Sequence, residues 1–180
     1  MKQVGGSGSR VADGPAVDMK GLFLVGSLVV SLACTGGATR PPRQAGFGGG
    51  GVPSSASKPE QELFARINAY RASKGLAALR WSDIIAEQAR GHSRAMASGA
   101  APRGHAAFEA RLAAIKERIP ISSWAENVVG DRNVEATVQR LLESPVHREN
   151  IEGDFDLTGV GAATDAQGLL YLTQIFVKTR

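Results

Sequence analysis

The stretch Ser144-Pro145-Val146-His147-Arg148-Glu149-Asn150-Ile151 divides the chain into a helical part and an alternating part. Before it, Val138, Leu141 and Leu142 recur at three- and four-residue spacing, which predicts a helix over about 134–143. Pro145 stops that helix, because the residue before a proline is pushed out of the helical region. His147 then falls in the turn beyond, and Asn150 orders that turn. After the stretch the period drops to two. Thr158, Val160 and Ala162 alternate with Gly159 and Gly161, and Leu170, Leu172, Gln174 and Phe176 alternate with Tyr171, Thr173, Ile175 and Val177. These are two strands joined through Thr164 to Gly168, and the two glycines of the first permit close backbone approach.

Working upstream, Ser57-Lys58-Pro59-Glu60 has the form of a capping box, in which serine and glutamate satisfy two orphan backbone donors at a helix start. Leu63, Phe64, Ile67 and Tyr70 give that helix one apolar face, and Gly75 ends it in a left-handed turn. Leu79 and Trp81 lead to a second helix, capped at Ser82 and running to about Ser98, with Ile85, Ala89 and Met96 on its stripe. His92 falls on that stripe and reads as a satisfied core residue. A third helix within 106–118 turns Phe108, Leu112 and Ile115 inward and ends at Pro120, with His105 just before its start. A short strand is expected within 123–129. Helices followed by a small sheet give an α+β domain.

The motif Ser144 to Ile151, taken with Gly159-Val160-Gly161, Ala125-Glu126-Asn127 and Arg103-Gly104-His105, resembles the signature of the CAP superfamily in its compact bacterial form. That superfamily comprises the cysteine-rich secretory, antigen 5 and pathogenesis-related 1 proteins. The resemblance implies a three-layer α-β-α sandwich with a small antiparallel sheet between helices. It also implies that His105, Glu126 and His147, far apart in sequence, share one cavity as the ligand-binding and, in any enzyme, the catalytic residues. The second acid of the family lands by count on Ser144, which leaves the neighbouring Glu143 as the remaining carboxylate candidate.

Two neutral imidazoles, His105 and His147, are able to ligate zinc or another divalent cation, with a carboxylate as third ligand or as base on bound water. The competing reading is a buried hydrogen-bonded network that fixes the loops over the sheet. No serine or cysteine nucleophile is signalled beside a histidine, which disfavours covalent catalysis. The leading expectation is a non-enzymatic extracellular binding module for a lipid, peptide or cell-wall ligand. The alternative is a metal-dependent, protease-like hydrolase using the His/His/Glu site.

With 180 residues, 43% of them hydrophobic, the chain has room for one domain and a tail. A net charge of +4 is small and dispersed, and no run of Lys and Arg interleaves with aromatics, so nucleic acid is not an expected partner. The single cysteine forms no internal disulfide. Residues 1–18 read as a non-native or disordered extension, rich in Gly and Ser. Residues 19–34 read as a secretory signal, Met19-Lys20 followed by an apolar run too short to anchor in a bilayer. Ser31-Leu32-Ala33-Cys34 favours lipidation of Cys34, which would tie the protein to a membrane, over the alternative of ordinary cleavage after Ala33. Residues 35–56 form a Gly/Pro/Ser tether, and residues 57–180 form the folded domain. Both routes place the domain outside the cytoplasm. The oligomeric state leaves no mark in the sequence.

Overall fold

Gly159 and Gly161 explain how the layers come together. A Cβ at either position would collide with the backbone of a helix, at Ala86 for the first and at Arg90 for the second. Only glycine lets that helix lie directly on the strand. The computed structural model describes residues 51–180. The signal segment, the lipidation at Cys34 and most of the tether expected from the sequence lie outside the described residues.

Among the described residues, five helices and four strands follow in the order α1 (Lys58–Ser73), β1 (Arg80–Trp81), α2 (Asp83–Ala97), α3 (Phe108–Lys116), β2 (Ile121–Asp131), α4 (Val134–Glu143), α5 (Pro145–Glu152), β3 (Leu157–Thr164) and β4 (Leu170–Thr179). The sheet order is β1-β3-β4-β2. The three long strands pair antiparallel, and the two-residue β1 adds a parallel step beside β3. None of the described helices is long and apolar enough to cross a membrane.

The period-2 pattern of β3 and β4 sends alternate residues to opposite layers. Val160, Leu172 and Phe176 join Leu63, Phe64 and Ile67 of α1, Leu141 of α4 and Ile151 of α5. Ile175 and Val177 join Ile85 and Ala89 of α2 and Phe108, Leu112 and Ile115 of α3. The result is the α-β-α sandwich that the family resemblance implies, with α1, α4 and α5 on one face and α2 and α3 on the other.

The capping box at the start of α1 forms, the Ser57 N–H donating to Glu60 Oε2 at 2.9 Å. Glu60 does more than cap. It is buried and accepts from Arg90 Nε and Nη2 of α2 at 2.9 and 2.8 Å, and from the Ala162 N–H of β3 at 3.3 Å.

Two expectations are corrected. The strand expected within 123–129 extends over eleven residues and forms an edge of the sheet as β2. Its polar ends, Ser122 and Asp131, hid its length, because burial from Ala125 to Asp131 is continuous rather than alternating. The turn expected to hold His147 is a helix, α5. Pro145 does end α4, yet it also stands in the first turn of α5, where the missing N–H is no loss and the fixed φ suits the helix. Ser144 is at once the C-cap of α4 and the N-cap of α5.

Candidate functional site

The site is built at edge strand β2 from two layers. On the α2/α3 side, the loop before α3 carries His105. Gly104 takes φ 139 and Ala107 takes φ 56, a left-handed conformation that costs a residue with a Cβ about 1–2 kcal/mol. This kink turns the chain into α3 and presents the imidazole to the sheet. His92 on α2 fixes the same loop, its Nε2 lying 2.6 Å from the Gly104 carbonyl. A carbonyl only accepts, so the His92 proton is on Nε2. Burial, and after it the charges of Arg111 and His105, lower the His92 pKa, while the bond to Gly104 partly opposes this.

His105 Nδ1 stands 2.9 Å from Glu126 Oε1, and both side chains are buried. The carboxylate accepts, which assigns the His105 proton at that bond to Nδ1. Glu126 has a second and stronger partner that the sequence reading missed. Arg111 of α3 donates from Nη2 to Oε1 at 2.9 Å and to Oε2 at 2.7 Å, and from Nε to Oε2 at 3.2 Å. Its Nη1 donates to the Ala106 carbonyl at 2.6 Å, and its guanidinium lies 5.7 Å from the Phe108 ring centre. The signal for Arg111 was present: positions 108, 111, 112 and 115 are the i, i+3, i+4, i+7 set of one helix face, so an arginine there must be buried and must find an acid.

On the other side, α5 brings His147. Asn127 Nδ2 donates to the His147 carbonyl at 3.1 Å, and Asn150 Nδ2 donates to Asn127 Oδ1 at 2.8 Å, which stitches the helix to β2. Buried Arg71 holds the far end, donating from Nη1 to the carbonyls of Ile151 at 2.6 Å and Gly153 at 2.9 Å. His147 is half-buried, its two ring nitrogens are shielded from solvent, and neither Nδ1 nor Nε2 has a hydrogen-bond partner among the described residues. Burial lowers its pKa, and the charge of nearby His105 lowers it further. Two unmade hydrogen bonds on a neutral imidazole cost about 1–3 kcal/mol each.

The structure thus brings His105 and Glu126 into direct contact and places His147 within electrostatic reach of His105. It does not bring Glu143 to them. That side chain is exposed on α4 and accepts from Gln139 one turn earlier, at 2.8 Å.

The donor set does not fit the divalent cation that the family resemblance admits. A catalytic zinc takes three protein ligands, and among the described residues no group of three or more His, Cys, Asp or Glu side chains is arranged to hold a metal ion. Both oxygens of the one carboxylate beside the histidines already face a guanidinium. The same engagement leaves Glu126 poorly placed as a general base.

A small α-β-α sandwich with a glutamate on the second strand paired to a histidine of the loop before the third helix, and a second histidine on the fifth helix, defines a class, and the family model agrees. The cysteine-rich secretory protein family, CAP, matches residues 64–176, and the chain belongs to that family. Among solved structures, an outer surface protein of Borrelia burgdorferi is similar over 69% of this chain and 96% of its own, with TM-score 0.61 and 18% identity. An extracellular protein containing an SCP domain from Bacillus anthracis is similar over 67% of this chain, with TM-score 0.58 and 25% identity; the match spans only 40% of that longer chain. The venom allergen-like protein 4 of Schistosoma mansoni shares the fold at TM-score 0.53 and 10% identity, over 69% of this chain and 91% of its own. No match was found among curated proteins.

Proposed function

We propose that this chain is an extracytoplasmic, non-enzymatic CAP-domain binding module, secreted or tethered through a lipidated Cys34, whose ligand is a lipid, a peptide or a cell-wall fragment. The domain occupies residues 57–180, and the segment before it is the leader and tether. The observation that carries the reading is His147. A half-buried imidazole with both nitrogens shielded and unpartnered among the described residues is one donor and one acceptor open to a hydroxyl or amide. His105 and Glu126 form the wall beside it. The similarity to an outer surface protein and an extracellular protein supports the location. The hydrolase alternative gains nothing from this geometry, because its base and its third metal ligand are the same carboxylate, and Arg111 holds it.

The test titrates the full chain with three probes: anionic phospholipid vesicles, soluble muropeptides and short peptides. One class should bind, and His147→Ala should weaken that binding at least about tenfold, the loss of roughly one buried hydrogen bond to the ligand. Equal binding by His147→Ala and wild type removes His147 from the site and the reading with it. Separately, Cys34→Ser should move a membrane-associated protein into the soluble fraction. No change on fractionation eliminates the lipid anchor and leaves the secreted form.

A further inference from the structure

We infer that Arg111 supplies, as part of the chain itself, the positive charge opposite Glu126 and His105 that a divalent cation would otherwise provide, so that the centre is metal-independent and becomes a cation site only when the guanidinium is removed. Three observations carry this. The guanidinium and the carboxylate are both buried, at 9% and 2% side-chain exposure, so bulk water does not screen the pair. The contact engages both carboxylate oxygens, Nη2 donating to Oε1 and to Oε2 and Nε adding a longer bond to Oε2, so the pair is held by charge-assisted hydrogen bonds of defined direction. The remaining contacts hold the guanidinium where it is: Nη1 on the Ala106 carbonyl, one residue from His105, and the cationic carbon against the Phe108 ring.

A dication approaching His105 and Glu126 would therefore meet a fixed positive charge within the same desolvated space. It would also have to break the Arg111 bonds to gain its carboxylate ligand. Coulomb repulsion in a poorly solvated site and the loss of charge-assisted hydrogen bonds act in the same direction. With the guanidinium gone, the order reverses. Glu126 would then be a buried carboxylate in need of a counter-ion, already in contact with His105, which in turn lies within electrostatic reach of His147, whose ring nitrogens have no partner among the described residues. Arg111 is a positioning residue in this scheme, since it acts on a ligand only through Glu126 and the His105 loop. The inference depends on charge at the centre and not on the proposed binding role, so either can fail without the other.

Zinc ion alone is the probe. Wild-type full chain at about 100-fold zinc excess should keep its thermal midpoint, whereas a metal-binding fold would be stabilised by mass action. Arg111→Met should gain a zinc-dependent rise in midpoint and bind zinc at least about tenfold more tightly than wild type in calorimetry. Arg111→Met/Glu126→Gln should lose that gain, and Arg111→Lys, which keeps the charge, should stay as indifferent to zinc as wild type. If Arg111→Met is unfolded alone, recovery of native near-ultraviolet dichroism on adding zinc is the supporting result. Zinc binding by wild type that His105→Ala/His147→Ala abolishes overturns the inference, and so does an Arg111→Met protein that responds to zinc no more than wild type.

Discussion

Two of the buried carboxylates among the described residues, Glu60 and Glu126, are built to related plans. Each is 2% exposed, and each accepts from Nε and Nη2 of one arginine and from other donors besides. Glu60 faces Arg90 and two backbone N–H groups, those of Ser57 and Ala162, and joins α1, α2 and β3. Glu126 faces Arg111 and a histidine, and it lies on an edge strand with a second histidine near. The first has every neighbour it needs and is a structural joint. The second differs by the company of two imidazoles, one of them with no partner. A buried Glu–Arg pair is therefore no evidence of a site in this fold, and the unmet hydrogen-bonding capacity beside it is.

Breaking the two pairs in turn is the strongest test of that distinction. Glu126→Ala leaves Arg111 buried and unpaired and should lower unfolding stability by about 3–5 kcal/mol in urea denaturation. Glu60→Ala should cost less, about 1.5–3 kcal/mol, because the Arg90 side chain is 22% exposed and water can take up its donors. Equal losses would mean that the environments of the two pairs do not differ as described.

A smaller effect separates the pairs by pH. Burial first, and the charge of His105 after it, hold the pKa of His147 below its ordinary value, and His92 is shifted the same way. A histidine kept neutral by the fold binds its proton more readily once unfolded. Its contribution to stability is complete above the unfolded pKa of about 6.5 and is lost as the pH falls from there through the folded value. The thermal midpoint should accordingly decline from pH 7 toward pH 5, and His147→Gln should make the decline shallower without abolishing it, since His92 remains. A slope unchanged by His147→Gln would show that this ring is not held neutral. The same measurement on Glu60→Ala should keep the wild-type slope.

The least effect belongs to the loop that presents His105. Ala107→Gly relieves the left-handed strain at φ 56 and should stabilise the fold by at most about 1 kcal/mol, the removed Cβ penalty less the greater freedom of glycine when unfolded. Destabilisation instead would show that the Ala107 side chain has a packing role that outweighs its strain.

How much of this could be read from the chain depended on periodicity. Helices α1 to α4 and the β3–β4 hairpin stand where apolar spacing put them, with Ser57, Gly75 and Ser82 at the ends assigned to them. Pro145 was ambiguous because the same ring that terminates one helix suits the first turn of the next, and only the downstream contacts of Asn150 and Arg71 decide for α5. β2 was under-read because a strand covered on both faces loses its alternation. Nothing local joins His105, Glu126 and His147, and their grouping came from family resemblance alone. Arg111 was legible in principle from its helix face, but a charge amid Phe108, Leu112 and Ile115 acquires meaning only when its acid is known.

Ser144 carries a consequence for the way this domain tolerates change. One residue closes α4 and opens α5, so the two rods share a joint without slack. A single residue inserted between them would shift the start of the second rod by up to about 3.8 Å and carry residue 147 away from its bond to Asn127 on β2. Length at this joint is therefore more tightly constrained than composition, and deletions or insertions there should be far less permissible than on the neighbouring surface of α4.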